Sequence, residues 1–395
     1  MKKILSALLC CCILFAAAGC AKQPPAPETT LAPTVPATQP STQSPAQPTQ
    51  PVQNGQPLTA LTLKTTRESV QSQDGTDIFY FDSQVVYLLT QDTAVTETVT
   101  LDLINRIDRV RAASESIQEA ADAAYTPDAG SWIPFFSQIS YTPTRIDVGV
   151  LSLLGEEGTY TGGIHPNYLD TAVNYDLLTG QVLTIQDILR EEATTEQLFQ
   201  LLLSALEPQS DSLYPDYADV AWNRFTEDAA ADDGWYFSET GLCFFFSPYE
   251  IAPYAAGLVR GEILYSQLAG ILREEYFPAE QLGYDGHMQA AAFASVDTTQ
   301  FSQFAELLLE QDAEQTILYT DSAVSNIWIE SGSLSSDGTS FAPSGVVFAA
   351  NALTADQAIT VRADLSAAPL RLTYRRGEEI VSRILTLENG APILQ

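Results

Sequence analysis

Asn174-Tyr-Asp-Leu-Leu-Thr-Gly-Gln-Val-Leu-Thr-Ile-Gln-Asp-Ile-Leu189 changes its hydrophobic period partway along. The first part, Asn174 to Leu183, reads as a strand, a turn at Thr179-Gly180 and a returning strand. From Ile185 the spacing becomes helical, through Ile188, Leu189, Leu198, Leu201, Leu202 and Leu206. A second hairpin follows at Thr240-Gly241, with Trp235-Tyr-Phe237 before it and Leu242 to Phe246 after it. Leu258 to Leu264 reads as one more strand, and Leu268 to Tyr276 as a closing helix. Hairpins interspersed with helices define an α+β class with an antiparallel sheet.

Toward the N-terminus, Leu61 to Thr65, Ile78 to Phe81 and Val85 to Leu89 read as strands. Val99, Leu103, Ile107, Val110, Ile117, Ala121 and Ala124 then form one face of a helix, ended by Pro127 and Gly130. Phe135 to Tyr141 and Arg145 to Leu154 read as two further strands. Toward the C-terminus, Gly283 to Ala292 looks like a boundary, and Phe301 to Leu309 carries helical spacing. Beyond it come short strands at Thr316–Thr320, Ser325–Ile329, Gly345–Ala350, Ile359–Asp364, Leu370–Tyr374 and Ile380–Leu387, divided by turn residues. That rhythm predicts a small all-β, sandwich-like domain. The expected division is therefore 58–155, an α+β companion region; 156–280, the central α+β domain; and 291–395, the β domain.

The N-terminal end reads as an export signal. Met1-Lys2-Lys3 is positive, and Ile4 to Ala18 is apolar or small but too short to span a bilayer, which takes about twenty helical residues. Ala17-Ala18-Gly19-Cys20 resembles a bacterial lipobox, which implies a signal over residues 1–19 and a diacylated Cys20 as the mature first residue. The plainer alternative is ordinary secretory cleavage. Residues 20–57 then form a tether in which Ala21 to Pro57 holds ten of the chain's 22 prolines. Such a stretch stays extended, at about 3 Å per residue, and holds a domain on the order of 100 Å from the membrane. The expected location is the extracytoplasmic face of the cell membrane, through the lipid.

The 395 residues carry 18 Lys+Arg against 50 Asp+Glu, a formal charge of −32. A field of that sign repels phosphate backbones and anionic bilayers and favours a cationic partner. His165 and His287 are too few and too far apart for imidazole metal sites, so no metal and no cofactor is expected. No G-x-S-x-G elbow and no phosphate-cradling glycine loop is present. Carboxylate-pair chemistry stays open, because 50 acids offer many pairs. Cys243, inside Leu242-Cys-Phe-Phe-Phe246, reads as a buried inert thiol.

Two local sequences are less ordinary. In Tyr160-Thr-Gly-Gly-Ile-His-Pro-Asn167, Gly162 and Gly163 permit positive φ and Pro166 fixes the exit, so His165 and Asn167 sit on a loop of definite shape. The bland reading is a sharp turn with His165 bonded to local backbone. In Pro248-Tyr-Glu-Ile-Ala-Pro-Tyr-Ala-Ala-Gly257, two Pro-Tyr pairs (Pro248 and Tyr249, Pro253 and Tyr254) either present rigid aromatic faces to a partner or pack on the domain's own core.

Those loops, in order with Asn174-Tyr-Asp-Leu-Leu-Thr-Gly180 and Leu183-Thr-Ile-Gln-Asp-Ile-Leu189, resemble the extracellular module of RsiV-type anti-sigma factors. The same module accompanies the catalytic domain in PdaC-type peptidoglycan deacetylases. The likeness runs from about Ile78 to Tyr276. It implies a receptor for lysozyme, a strongly basic protein. The sequence departs from the family in its lack of a sigma-binding segment, a transmembrane helix and a deacetylase H-x-x-x-H, and in its C-terminal β region. The expectation is a surface-displayed, non-catalytic lipoprotein that binds a lysozyme-like cationic protein or a wall polymer, through the His165 loop and Tyr249 and Tyr254. The alternatives are a glycan-acting enzyme with a carboxylate pair, or an envelope spacer.

Overall fold

The computed structural model describes residues 57–127, 132–226, 233–279, 284–335, 338 and 340–395. The signal, Cys20 and the tether up to Gln56, together with Gly130 and Gly283, lie outside the described residues. Strand β1 (Ala60–Gln71) pairs antiparallel with β2 (Asp77–Leu89), whose single run absorbs both strands expected between Ile78 and Leu89. Helix α1 (Thr93–Ala124) then crosses over and returns the chain as β3 (Phe135–Ile146), parallel to β2. Strands β4 (Val150–Tyr160) and β5 (Asn167–Asp176) continue as an antiparallel meander.

The apolar period of α1 explains where it lies. Val95, Val99, Leu103, Ile107 and Ala121 are buried against Phe79, Phe81, Ile139, Leu151 and Leu153 of the sheet. Each large aliphatic so buried is worth about 1.5–3 kcal/mol. The Asp92 cap, which accepts from Ala94 N at 2.8 Å, adds about 1 kcal/mol, and the helix's surface ion pairs add less. Burial of one face therefore decides the packing.

Beyond β5 the expected helix over 185–206 is two helices, α2 (Ile185–Ile188) and α3 (Thr195–Leu206). Each opens with its own capping box, Thr184 with Asp187 and Thr194 with Gln197. After α4 (Tyr217–Thr226) come β6 (Trp235–Phe237), β7 (Gly241–Phe246) and β8 (Val259–Leu264), a three-stranded antiparallel sheet. One face of it packs on α3 through Leu242, Phe244 and Ile263. The other face, with Tyr236, Cys243 and Phe245, packs on Ala172 and Leu154 of β4 and β5. The closing helix expected at Leu268 to Tyr276 is absent. Leu268, Leu272 and Tyr276 are all buried at four-residue spacing, which imitates a helix, but Gly270 takes φ +80° and Leu272 forms a bridge to Leu189.

The remaining strands are β9 (Met288–Ala292), β10 (Gln303–Leu308), β11 (Gln315–Thr320), β12 (Val324–Leu334), β13 (Phe341–Leu353), β14 (Gln357–Arg362), β15 (Leu370–Arg376), β16 (Glu379–Glu388) and β17 (Ala391–Leu394). The helix expected at Phe301 to Leu309 is instead β10, parallel to β14. Its apolar residues suit either period, and pairing selects the strand, with Ala305 and Leu307 buried and Phe304 and Glu306 outward. The expected sandwich is present only as layers. Sheet β10-β14-β11-β9 packs Leu307, Leu318, Ile359 and Val361 onto Ile327, Ile329, Phe348 and Leu372. The second layer is not separate: β13 pairs with β1, Ala60 opposite Ala350, in one ten-stranded sheet β17-β16-β15-β12-β13-β1-β2-β3-β4-β5.

The expected domain boundaries are corrected accordingly. Leu58 and Ala60 belong to the same core as the C-terminal strands. Asn351 holds the segment before β1, accepting from Thr59 N at 3.0 Å and donating to the Pro57 carbonyl at 3.1 Å. The 155/156 division falls inside β4. The α+β class stands, with two parallel pairs, β2–β3 and β10–β14, in otherwise antiparallel sheets.

Candidate functional site

The β4–β5 turn is built as the Gly-Gly-x-x-Pro sequence demands. Gly162 and Gly163 sit at φ +86° and +120°, values that L side chains rarely adopt. The Tyr160 hydroxyl donates to the Gly163 carbonyl at 3.1 Å, and His165 Nδ1–H to the Pro166 carbonyl at 2.9 Å. Ile164 at the tip is fully exposed, and Asn167, also exposed, begins β5 opposite Thr159.

The 247–257 loop is anchored from below. Ile251 and Ala252 are buried, and the Ile251 carbonyl accepts from Tyr214 N at 2.9 Å. Glu250 Oε2 accepts from Ser247 N at 2.9 Å, while its Oε1 lies 3.1 Å from Arg224. Burial pushes the Glu250 carboxyl up, and the Arg224 charge only partly offsets it. Pro248 leads into Tyr249, held at φ +72° with its N–H donating to the Ala252 carbonyl at 3.0 Å. Pro253 precedes a 3₁₀ turn over Tyr254–Ala256, and Gly257 at φ +66° ends it.

The structure brings these two loops together. The His165 and Tyr254 rings are 5.6 Å apart at 24°, and Tyr254 and Tyr249 are 5.5 Å apart at 30°. Tyr249 is 67% exposed and Tyr254 50%, so the tyrosines stack on each other and not in the core. The result is a three-ring exposed stack on a rigid base, with Ile164 beside His165 in sequence.

A second aromatic tract escapes the sequence reading. Arg67 lies 4.0 Å above Tyr80, which stacks on Phe136 at 5.3 Å, which stacks on Tyr160 at 5.9 Å. These rings belong to residues paired across β2, β3 and β4, so the row crosses the sheet. Tyr168, 49% exposed, lies over Gly158, where a Cβ would come within 2.8 Å of its ring. On the same strands Glu156 pairs with Asp170, and burial raises the pKa of both. The Asp170 charge raises Glu156 further, while Gln138 donates to Glu156 at 3.3 Å. The available cue was two-residue alternation along Glu156, Gly158 and Tyr160 and along Tyr168 and Asp170.

The other titratable candidates do not join the stack. His287 sits 3.7 Å from Asp321, and its ring bonds Arg376. Burial pushes the Cys243 thiol up to about 11, which leaves it protonated and unreactive near neutral pH. No group of three or more His, Cys, Asp or Glu among the described residues is arranged to hold a metal. No helix among them is long and apolar enough to cross a membrane.

These features define an α+β protein with an exposed aromatic surface. Residues 184–266, from the α2 cap to just past β8, match the model of a family described as a protein of unknown function, DUF3298. Two crystal structures of DUF3298 family proteins are similar to the chain. One, from Bacteroides fragilis, has 17% identity and a TM-score of 0.38, covering 54% of this chain and 93% of its own. The other, from Pseudomonas aeruginosa, has 16% identity and a TM-score of 0.36, covering 55% and 96%. No curated protein matches.

Proposed function

We propose that the chain is a non-catalytic binding protein for a cationic protein outside the cell. On this reading it is displayed through a lipidated Cys20 and the proline-rich tether. Lysozyme is the sharpest candidate, with wall polymers as the other ligand class. The observation that carries the reading is the stack of His165, Tyr254 and Tyr249. Rings already ordered at a surface lose little entropy on binding, and tyrosine is enriched among residues that dominate interface energy. The charge of −32 would steer a basic partner and would do so less as salt rises. The resemblance of both loops to RsiV-type modules points the same way.

The test is binding of the protein to immobilised lysozyme across a salt series. Submicromolar binding that persists at moderate salt is expected. Binding that disappears at moderate salt would mean only that an acidic protein meets a basic one. A second reading, a glycan-acting enzyme, draws on the Glu156–Asp170 pair beside an aromatic row. It requires turnover of wall glycan that Glu156→Gln and Asp170→Asn abolish.

A further inference from the structure

A cavity of about 340 Å³ lies between α1 and the β3–β5 part of the sheet and shares no residue with the exposed stack. Its floor is one cross-strand row, Tyr141, Gly155 and Thr171, in register on β3, β4 and β5. Gly155 keeps that floor open: a Cβ there would lie 2.8 Å from Thr171 Oγ1 and 3.5 Å from the Tyr141 ring. Tyr141 is only 5% exposed, and its hydroxyl has no hydrogen-bond partner among the described residues. Buried hydroxyls are ordinarily satisfied, so an unpartnered one on a cavity-lining residue marks a position for a polar ligand atom.

The walls carry opposite charges. From α1 come Arg106, already 2.8 Å from Asp102, and Arg109, which has no ion pair among the described residues. From β4 comes Glu157, half-buried, whose carboxylate makes neither a hydrogen bond nor an ion pair among the described residues. Burial raises the Glu157 carboxyl, and Arg109 offsets this without touching it. Asp233, held 3.3 Å from Arg224, adds a second carboxylate at the lining. A purely anionic guest would meet Glu157 and Asp233, and a purely cationic one would meet the two guanidinium groups. A guest with a charge of each sign satisfies both walls, and the two hydroxyls of the floor can bond its middle.

We propose that this cavity binds a small zwitterion, an amino acid or dipeptide, with its carboxylate toward Arg109 and its ammonium toward Glu157. The volume is at the small end of ligand sites. The site has no residue in common with the stack on which the lysozyme reading rests, so each can fail alone.

The test is titration of the full-length chain with alanylalanine, with N-acetylalanine (the anionic end alone) and with alaninamide (the cationic end alone). At about 10 mM, alanylalanine is expected to raise the melting temperature well above either half-ligand. Arg109→Gln and Glu157→Gln should each weaken it about tenfold or more. Tyr141→Phe should weaken alanylalanine while leaving the unliganded fold at least as stable, because it removes an unsatisfied hydroxyl. Equal shifts from all three probes, no shift from any, or unchanged affinity in Arg109→Gln would each overturn the proposal.

Discussion

Arg145 joins the long sheet to the three-stranded one, and replacing it gives a sharp test of how these layers cohere. Its side chain is buried, with Nε donating to Asp147 at 2.7 Å. One terminal nitrogen donates to the Tyr265 hydroxyl at 2.8 Å and to the Tyr276 carbonyl at 2.6 Å. The guanidinium also lies 5.1 Å from the Phe237 ring centre. Removing one partner of a buried pair costs about 3–5 kcal/mol, mostly because a charge is left behind. Asp147 keeps 24% side-chain exposure and its bonds from Gly149 N and Val150 N at 2.8 Å, which lowers that part. The Tyr276 carbonyl, which would lose its donor, adds about 1–3 kcal/mol. Arg145→Met should therefore cost about 4 kcal/mol in urea unfolding followed by tryptophan fluorescence, since Trp235 is fully buried in the same layer. Arg145→Lys, which keeps the charge but not the fork, should lose about half of that. A loss below about 1 kcal/mol for Arg145→Met would refute the idea that this contact holds the layers together.

Two other outcomes follow from local chemistry. Tyr249→Gly should be more stable than Tyr249→Ala by about 1 kcal/mol, because φ +72° costs a residue with a Cβ and costs glycine nothing; equal stabilities in urea would mean the backbone is unstrained there. Burial raises the pKa of Glu156, Glu157, Asp170, Asp233 and Glu250, so the folded state holds those protons more tightly than the unfolded one. Their contribution to stability is full below the unfolded carboxylate range and is lost as pH rises through the folded values. Hydrogen bonds hold Asp297, Asp356 and Asp364 low, and their contribution is lost in the opposite direction, as pH falls below about 4. Thermal melts should accordingly be higher at about pH 5 than at pH 7, and the reverse order would contradict the assignment of burial as the dominant cause.

What the sequence reveals, and what it hides, divides along local and non-local lines. The strands of the N-terminal sheet and α1 can be read because Val99, Leu103 and Ile107 each need only one buried face. Leu268, Leu272 and Tyr276 mislead because burial at four-residue spacing arises equally in an irregular segment folded over a core. Phe304 to Leu308 misleads because its pattern fits both periods and only β14, far along the chain, decides. The two loops can each be singled out from glycines and Pro-Tyr pairs, yet nothing local says that His165 meets Tyr254. The β1–β13 seam is hidden for the same reason: Ala60 and Ala350 carry no signal of pairing. The cavity beneath α1 depends on which strands lie next to each other, since its hydroxyls and charges come from α1, β3, β4, β5 and the Asp233 segment before β6.

The most direct test of the central claim is the affinity of wild-type protein and of Tyr254→Ala for lysozyme at moderate salt. Tyr254 is the middle ring, so its removal breaks both stacking contacts at once. If the stack is the contact surface, the substitution should weaken binding about thirtyfold, the factor for about 2 kcal/mol at a dominant interface residue. Unchanged affinity in Tyr254→Ala, in a protein whose melting temperature is also unchanged, would contradict the account.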